Sequence, residues 1–293
     1  MDNFFYYGFI FLEKLLFITP KGLKNYLKKI LTLLFYNLDK KRKNIVFANL
    51  DLAFGNRLSK KEKERIAKEV YKNFINNLFE FIELKNLTKE ELVEKIEFEN
   101  DEKVKEYLKK GPIIFVSAHF GNWEIALLAI GCFLAPISAI ARDIDNPKLN
   151  KRIKEIREKF NIKIYGKKNS LKYLLKDLQN NKSVAILVDQ NASKKTAVDT
   201  LFFNKKVLHT PIACVLSKRF NIPIVIGFCE KRDNKWILSF KDIYFCEDIK
   251  ECVDRQSKII EEEVKKFPEL WYWFHRRFKY YYRNIYENTN NKR

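Results

Sequence analysis

The chain predicts an α/β fold, a mainly parallel central sheet flanked by helices, with an N-terminal helical membrane-associating region ahead of it. Three observations carry this. From residue 112 onward, short apolar, β-branched runs alternate with helix-length stretches, the pattern of a layered fold with parallel strands. Before residue 110, apolar residues recur every three or four positions instead. The run Pro-Ile-Ile-Phe-Val-Ser-Ala (112–118) passes through His119, Phe120, Gly121 and Asn122 into an apolar segment of helical length, which is the order strand, turn, helix.

In chain order, residues 4–18 are apolar and aromatic, interrupted by Glu13 and Lys14, and too short for the roughly 20 apolar residues that a spanning helix needs. Asp2 stands where a signal peptide carries positive charge, and no small-residue cleavage site follows, so the segment of about 3–19 reads as a retained membrane anchor. Aromatic residues favour the headgroup boundary, and the Lys-rich stretch from Lys21 to Lys43 suits anionic lipid. The alternative is a helix packed on the body of the protein. Leu31, Leu34, Phe35 and Leu38 mark one helix; Ile66, Val70, Phe74, Leu78 and Ile82 mark another, opened by a capping box of Ser59 and Glu62. Strands are expected near 112–117, 136–141, 162–165, 184–189, 223–230 and 236–245, and helices near 123–134, 147–160, 169–180, 210–220 and 248–266. The organisation is thus 1–110, helical and including the anchor, and 111–293, an α/β catalytic region with C-terminal helices.

With 293 residues, 46% of them hydrophobic, the chain has ample material for a core, and disorder is excluded. A net charge of +20 points to an acidic partner: nucleic acid, an anionic membrane, a phosphorylated substrate or an acidic carrier protein. The five cysteines are odd in number and lack the close spacing of a zinc site, so they read as reduced thiols. With three histidines and no HExxH arrangement, neither a metal nor a redox cofactor is expected.

His119 and Glu124 are the candidate catalytic residues. On one continuous helix they would lie about 140° apart, so the pair meets only across a turn. Gly121 allows the unusual backbone angle and Asn122 is a good N-cap, which places Glu124 in the first helical turn, where the helix dipole favours the anion. An anionic Glu124 beside His119 would fix the imidazole tautomer and stabilise the imidazolium, leaving His119 to take a proton from a hydroxyl. Arg142 and the pair Asp189 and Gln190 also sit at expected strand ends, where sites of such sheets form. They complete the candidate site.

The box His119 to Glu124, then Arg142 with Asp145, Asn146 and Leu149, then Asp189-Gln190, Phe202-Phe203 and the block Trp271 to Lys279, resembles the late acyltransferases of lipid A biosynthesis, the lauroyl/myristoyl transferases within the lysophospholipid acyltransferase superfamily. Arg42, Asn44, Asn49, Ala53 and Phe54 fit the same family, so the resemblance runs from about residue 4 to 280. It implies transfer of a fatty acyl chain from acyl carrier protein to a hydroxyl of a lipid A precursor, at the cytoplasmic face of a bacterial inner membrane. His119 is then the general base with Glu124 orienting it. Arg142 contacts phosphate or oxyanion, Asp189 and Gln190 bind or position substrate, and Asn122 shapes the turn. The chain departs from the family after Phe203, where Asn204 to Pro211 replaces a Gly-rich block; His209 there reads as a structural residue at a helix start. The segment Trp271 to Arg283 is either an aromatic, basic membrane surface or a core helix with a solvated basic face. Two other readings stay beside this one, an acyl-CoA-dependent enzyme acting on another glycolipid or lysophospholipid, and a basic nucleic-acid-binding protein, although no nucleic-acid motif is present.

Overall fold

The computed structural model describes residues 2–166, 168 and 170–287, with side chains from Tyr6 onward; residue 169, the start of one expected helix, lies outside the described residues. Five helices open the chain: α1 (Asp2–Ile18), α2 (Lys21–Leu38), α3 (Lys40–Phe54), α4 (Lys60–Glu83) and α5 (Lys89–Lys95). Strand β1 (Ile96–Glu99) and helix α6 (Glu102–Leu108) follow. The alternating part then runs β2 (Ile114–Ser117), α7 (Trp123–Phe133), β3 (Ile137–Ile140), α8 (Pro147–Arg157), β4 (Ile162–Tyr165), α9 (Ser170–Gln179) and β5 (Ser183–Leu187). A hairpin of β6 (Val198–Phe202) and β7 (Lys205–His209) precedes α10 (Ile212–Phe220), β8 (Ile224–Arg232), β9 (Lys235–Tyr244), α11 (Ile249–Lys266) and a short α12 (Asn284–Glu287).

The main sheet has the order β1-β9-β8-β2-β5-β3-β4. Strands β8, β2, β5, β3 and β4 run parallel, whereas β9 returns antiparallel along β8 and carries β1 at the edge. The expected α/β architecture with a mostly parallel sheet is therefore present, and β1 joins it from within the helical first third. Alternate residues of each strand feed two cores. Ile114 and Val116 face a layer that includes α3, α10, α11 and the residues around Trp271, while Phe115 faces α7. Strand β2 is buried on both sides, which explains its uninterrupted apolar sequence.

The capping box at α4 is formed, with Ser59 accepting from the Glu62 backbone and Glu62 accepting in return. Among the described residues no helix is long and apolar enough to cross a membrane. Helix α1 packs on the body through Leu16 and through Glu13, whose carboxylate is 2.6 Å from Arg152 and 2.5 Å from Lys85. Its opposite side leaves Tyr7, Phe11, Phe17 and Ile18 exposed, beside exposed Leu23, Tyr26, Leu33, Leu34 and Leu38 of α2.

Two expectations change. The cysteines, expected as separate reduced thiols, include a disulfide, Cys214–Cys252, with the sulfur of Cys246 within 4.8 Å of both. They come together because α10, the loop after β9 and α11 pack on one another, a proximity their sequence spacing hides. Nor does the block Trp271 to Arg283 form a core helix: it is a chain of turns with Trp271, Trp273, Phe274, Arg277 and Phe278 buried, leaving Lys279, Tyr280, Tyr281 and Arg283 at the surface.

Candidate active site

His119 and Asp189 come together through strand register. Parallel β2 and β5 are paired with Ser117 opposite Leu187, so the residues two positions beyond each strand end lie side by side. His119 Nδ1 is 2.8 Å from Asp189 Oδ1, and the His119 backbone N–H donates to Asp189 Oδ2 at 3.0 Å. Trp271 Nε1 donates to the same Oδ2 at 2.8 Å. Three donors thus surround a carboxylate that is almost wholly buried. Burial alone would raise the Asp189 pKa, but the charge and hydrogen bonds of His119 and the Trp271 bond outweigh it and hold the carboxyl well below its usual range, at about 2. For His119 burial pulls downward, and the charge and hydrogen bond of Asp189, with the more distant charge of Glu124, lift its pKa above the ordinary value. Nδ1 therefore carries the proton, and Nε2 is the basic nitrogen. Gln190 Nε2 lies 3.1 Å from it.

The carboxylate bonded to the His119 ring is that of Asp189, not that of Glu124 as expected. Asn122 caps α7 by accepting from the Ile125 N–H at 3.1 Å, as expected, and Glu124 sits in the first turn. From there its carboxylate reaches Arg157 at the end of α8, with Nη2–Oε1 at 2.6 Å and Nε–Oε2 at 2.9 Å. This fork is mostly buried, with 24% and 14% of the two side chains exposed. Burial lowers the Arg157 pKa, but the charge and hydrogen bond of Glu124 more than restore it. Sequence reasoning missed Arg157; its place in the last turn of the helix that follows Asn146-Pro147 is the one local signal it gives.

The turn between His119 and α7 is clamped on every side. Gly121 has φ +55°, and a Cβ added there would stand 1.9 Å from the Cys229 carbonyl oxygen. Its N–H donates to Leu270 O at 2.9 Å, the Asn122 N–H donates to Cys229 O at 2.8 Å, and the Tyr272 N–H donates to His119 O at 2.9 Å. Helix α4 supplies Asn77, donating to Gly121 O at 2.6 Å, and Glu80, accepting from Asn122 Nδ2 at 2.7 Å. Asn122 is thus buried and fully engaged in holding the turn. Asn77 and Glu80 carry no chemical signature in the sequence and emerge only from the packing of α4.

Residues 271–277 form the wall behind the pair. Besides Trp271 on Asp189, His275 Nε2 accepts from the Asn191 N–H at 3.0 Å, and Asn49 donates to the carbonyls of Trp273 and His275 at 2.7 and 2.9 Å. His209 is not at a helix start: it ends β7, fully buried, with Arg277 Nη2 at 3.2 Å from Nδ1 and Gln256 Oε1 at 3.4 Å from Nε2. Arg142 lies two residues past β3 and is exposed, without an ion pair among the described residues. The rings of Trp123 and Tyr272 stand with their centroids 5.1 and 6.0 Å from that of the imidazole. They border a crevice, shared with Asn73, Phe74 and Leu270, whose free volume is about 10 Å³, room for roughly one water.

The arrangement can lower the cost of removing a proton from a group placed at Nε2, because the resulting imidazolium sits against one buried carboxylate and within the field of a second. The model of the family described as bacterial lipid A biosynthesis acyltransferase matches residues 2–280. No curated protein matches the chain. Among solved structures, it is similar to the 1-acyl-sn-glycerophosphate (LPA) acyltransferase PlsC from Thermotoga maritima, with 18% identity over 85% of this chain and 99% of that one, at a TM-score of 0.41.

Proposed function

Because the chain belongs to the bacterial lipid A biosynthesis acyltransferase family, we propose that it moves a fatty acyl chain from an acyl carrier protein thioester to a hydroxyl of a lipid A precursor, with His119 as the general base. The observation that carries the assignment of the base is the 2.8 Å bond between His119 Nδ1 and the buried carboxylate of Asp189, which leaves Nε2 to face the acceptor. The acceptor hydroxyl gives its proton to Nε2 as its oxygen bonds to the thioester carbon. The carbonyl π electrons move onto oxygen, then return to expel the thiolate, and the imidazolium delivers the same proton to the departing sulfur. An O–C bond replaces a C–S bond, and no other reactant is needed.

Asp189 and Glu124 divide the work of one orienting carboxylate. Asp189 fixes the ring and balances the imidazolium at close range. Glu124, held by Arg157, adds negative potential from the first turn of α7. Gln190 yields Nε2 to the acceptor hydroxyl, and its amide, 3.1 Å from that nitrogen at rest, then serves as a donor to the oxyanion. Arg142, exposed beyond β3, meets a phosphate of the acceptor, for which a charged fork is suited.

Access to a lipid acceptor is supported by the outer side of α1 and α2. Exposed Phe11, Phe17, Ile18, Leu33 and Leu38 accompany exposed Lys14, Lys21, Lys29, Lys40 and Lys41, a combination suited to an anionic leaflet. Attachment in the plane of the cytoplasmic face of the inner membrane follows from this reading, and the net charge of +20 favours encounter with an acidic carrier protein.

The test is acyl transfer by detergent-purified protein to a tetraacylated, sugar-bearing lipid A precursor, with a panel of acyl carrier protein and acyl-CoA thioesters and His119→Ala in parallel. A heavier lipid made from carrier-protein thioesters by the wild type and not by the variant is the expected result. Turnover with acyl-CoA alone, or with a lysophospholipid in place of the lipid A precursor, would replace the donor or the acceptor in this reading.

A further inference from the structure

Arg277 is the least ordinary side chain outside the groups assigned above. It is 1% exposed, and among the described residues no carboxylate pairs with its guanidinium. A buried, unpaired cation is costly, so its hydrogen bonds must be good and its position strongly determined. Its donors meet three acceptors. Nη1 donates to Gln190 O at 3.1 Å and to Leu208 O at 2.5 Å, and Nη2 approaches His209 Nδ1 at 3.2 Å. Phe202 lies under the guanidinium at 5.7 Å. Two of the partners belong to the β6–β7 hairpin and its end. The third is the carbonyl of the residue that follows Asp189.

We propose that Arg277 is a positioning residue: by tying the Gln190 carbonyl to the end of β7, it holds the strand end that carries Asp189 and Gln190 in register with His119. The inference rests on the reading of His119 as the base, and it extends that reading to a residue that touches neither substrate nor His119. Beyond Leu187 the segment has left the sheet, and Val188 N–H to Ser117 O, at 3.1 Å, is the last ladder bond before Asp189. What fixes the next residues is the wall from Trp271 to Arg277, with Trp271 on the Asp189 carboxylate, Arg277 on the Gln190 carbonyl and His275 on the Asn191 N–H. Of these three side chains, Arg277 is the one that also hydrogen-bonds to β7, through Leu208 O and His209 Nδ1, and so ties the segment to that strand.

The fork geometry matters as well as the charge. A lysine ammonium in the same space supplies a cation on a flexible stem and cannot span carbonyls of two segments and an imidazole nitrogen at once. His209 accepts through Nδ1, which fits its neutral state: burial first, then the charge of Arg277, pushes its pKa down to about 3. Other charged or titratable groups felt around this point are Asp189, His275 and Tyr286, and around His119 they are Asp189 and Glu124.

The experiment uses full-length protein carrying Arg277→Lys or Arg277→Met, each checked for cooperative unfolding, with two readouts. The first is steady-state acyl transfer. A misplacement of a base by about 1 Å costs on the order of 100-fold in rate; the expected loss in kcat is of that order for Arg277→Met and about tenfold for Arg277→Lys, with KM within twofold of wild type. The second readout needs no substrate: the titration of His119 followed by NMR of 15N-histidine-labelled protein. Its pKa is expected to fall in both variants as the Asp189 bond loosens. Should Arg277→Met not fold, Arg277→Lys carries the test alone. A variant that is less stable but keeps both the wild-type kcat and the wild-type His119 titration would reduce Arg277 to a structural residue and overturn the proposal. If wild type transfers no acyl group from any donor while the His119 titration still shifts in the variants, the positioning role stands and the assignment of function fails.

Discussion

Asp189 grips His119 at two points, with Oδ1 2.8 Å from the ring Nδ1 and Oδ2 3.0 Å from the backbone nitrogen of the same residue. A carboxylate that binds both the ring and the main chain of its histidine sets the ring's orientation relative to its own backbone. Since the two residues sit two positions beyond paired residues of neighbouring parallel strands, the sheet itself fixes their distance. The chemistry then depends on how well the segments beyond the strands are held.

Gly121→Ala tests the turn. The added Cβ would meet the Cys229 carbonyl oxygen at 1.9 Å, on a backbone that already has φ +55°. Left-handed strain of about 1–3 kcal/mol combines with a clash against rigid β8 backbone, so a loss of at least about 3 kcal/mol is expected. Urea unfolding measures it. A loss below about 1 kcal/mol would mean that the turn relaxes freely and that the bonds from Leu270, Cys229 and Asn77 do not define it.

Glu124→Gln separates electrostatics from architecture. The variant keeps the shape of the side chain but leaves Arg157 without its carboxylate in a mostly buried place, a change expected to cost about 2 kcal/mol, less than the full penalty of a wholly buried broken pair. Most turnover is expected to go too, with the protein still folded at neutral pH. In Glu124→Gln/Arg157→Gln the stability should recover in part, because no uncompensated cation remains, while turnover stays low. Recovery of turnover in the double variant would show that Glu124 serves only to neutralise Arg157.

Much of this was legible in the sequence, and the failures share a cause. The strand, turn and helix around His119, the cap at Asn122 and the strand-end placement of Asp189 and Gln190 all follow from local patterns. Strand β1 was hidden because Ile-Glu-Phe-Glu is short, half charged and paired only along β9 at the edge. The β6–β7 hairpin was hidden because its two turn residues, Phe203 and Asn204, both adopt positive φ, at 53° and 55°. Such a turn usually announces itself as Asn-Gly or Asp-Gly, and a phenylalanine in that conformation gives no warning. The partners of His119 and Glu124 were exchanged for a related reason: the register of β2 against β5, and the return of α8 onto α7, are relations between distant segments that no local spacing encodes. The block Trp271 to Lys279 was visible as a motif, yet its burial behind Asp189 depends on the same long-range packing.

Acid stability should report His209 and His275. Burial, reinforced for His209 by the charge of Arg277, holds His209 to about 3; burial, only partly opposed by Asp189, holds His275 to about 4. An unfolded histidine titrates near 6.5, so below that pH the unfolded chain takes up protons that the folded chain refuses, and stability falls as pH drops, by up to about 1.4 kcal/mol per pH unit for each histidine. His119 acts in the opposite sense: its raised pKa gives stability that is complete below about 6.5 and is lost as pH rises through the folded value. Histidine titration therefore places the stability maximum near neutrality. Urea midpoints at pH 5 and 6.5 measure the acid limb, and His275→Gln should make it shallower; equal midpoints at the two pH values would show that these histidines are protonated in the folded protein.

The pH dependence of transfer follows from the same pair with the sign reversed, because catalysis needs His119 unprotonated. In the free enzyme kcat/KM should rise with pH and level off with an apparent pKa above the ordinary histidine value of about 6.5, since Asp189 and Glu124 stabilise the imidazolium more than burial destabilises it. Asp189→Asn removes the larger of these stabilising charges and leaves the burial in place, so the limb should move to lower pH, below its wild-type position. The plateau should nevertheless drop by about 10³-fold or more, because an asparagine that presents its amide nitrogen to Nδ1 favours the wrong tautomer and no longer balances the imidazolium as it forms. A more weakly basic histidine that is free at lower pH but turns over far more slowly is thus the expected signature. An unshifted limb with an unchanged plateau would remove Asp189 from the proton-transfer step and return the orienting role to Glu124.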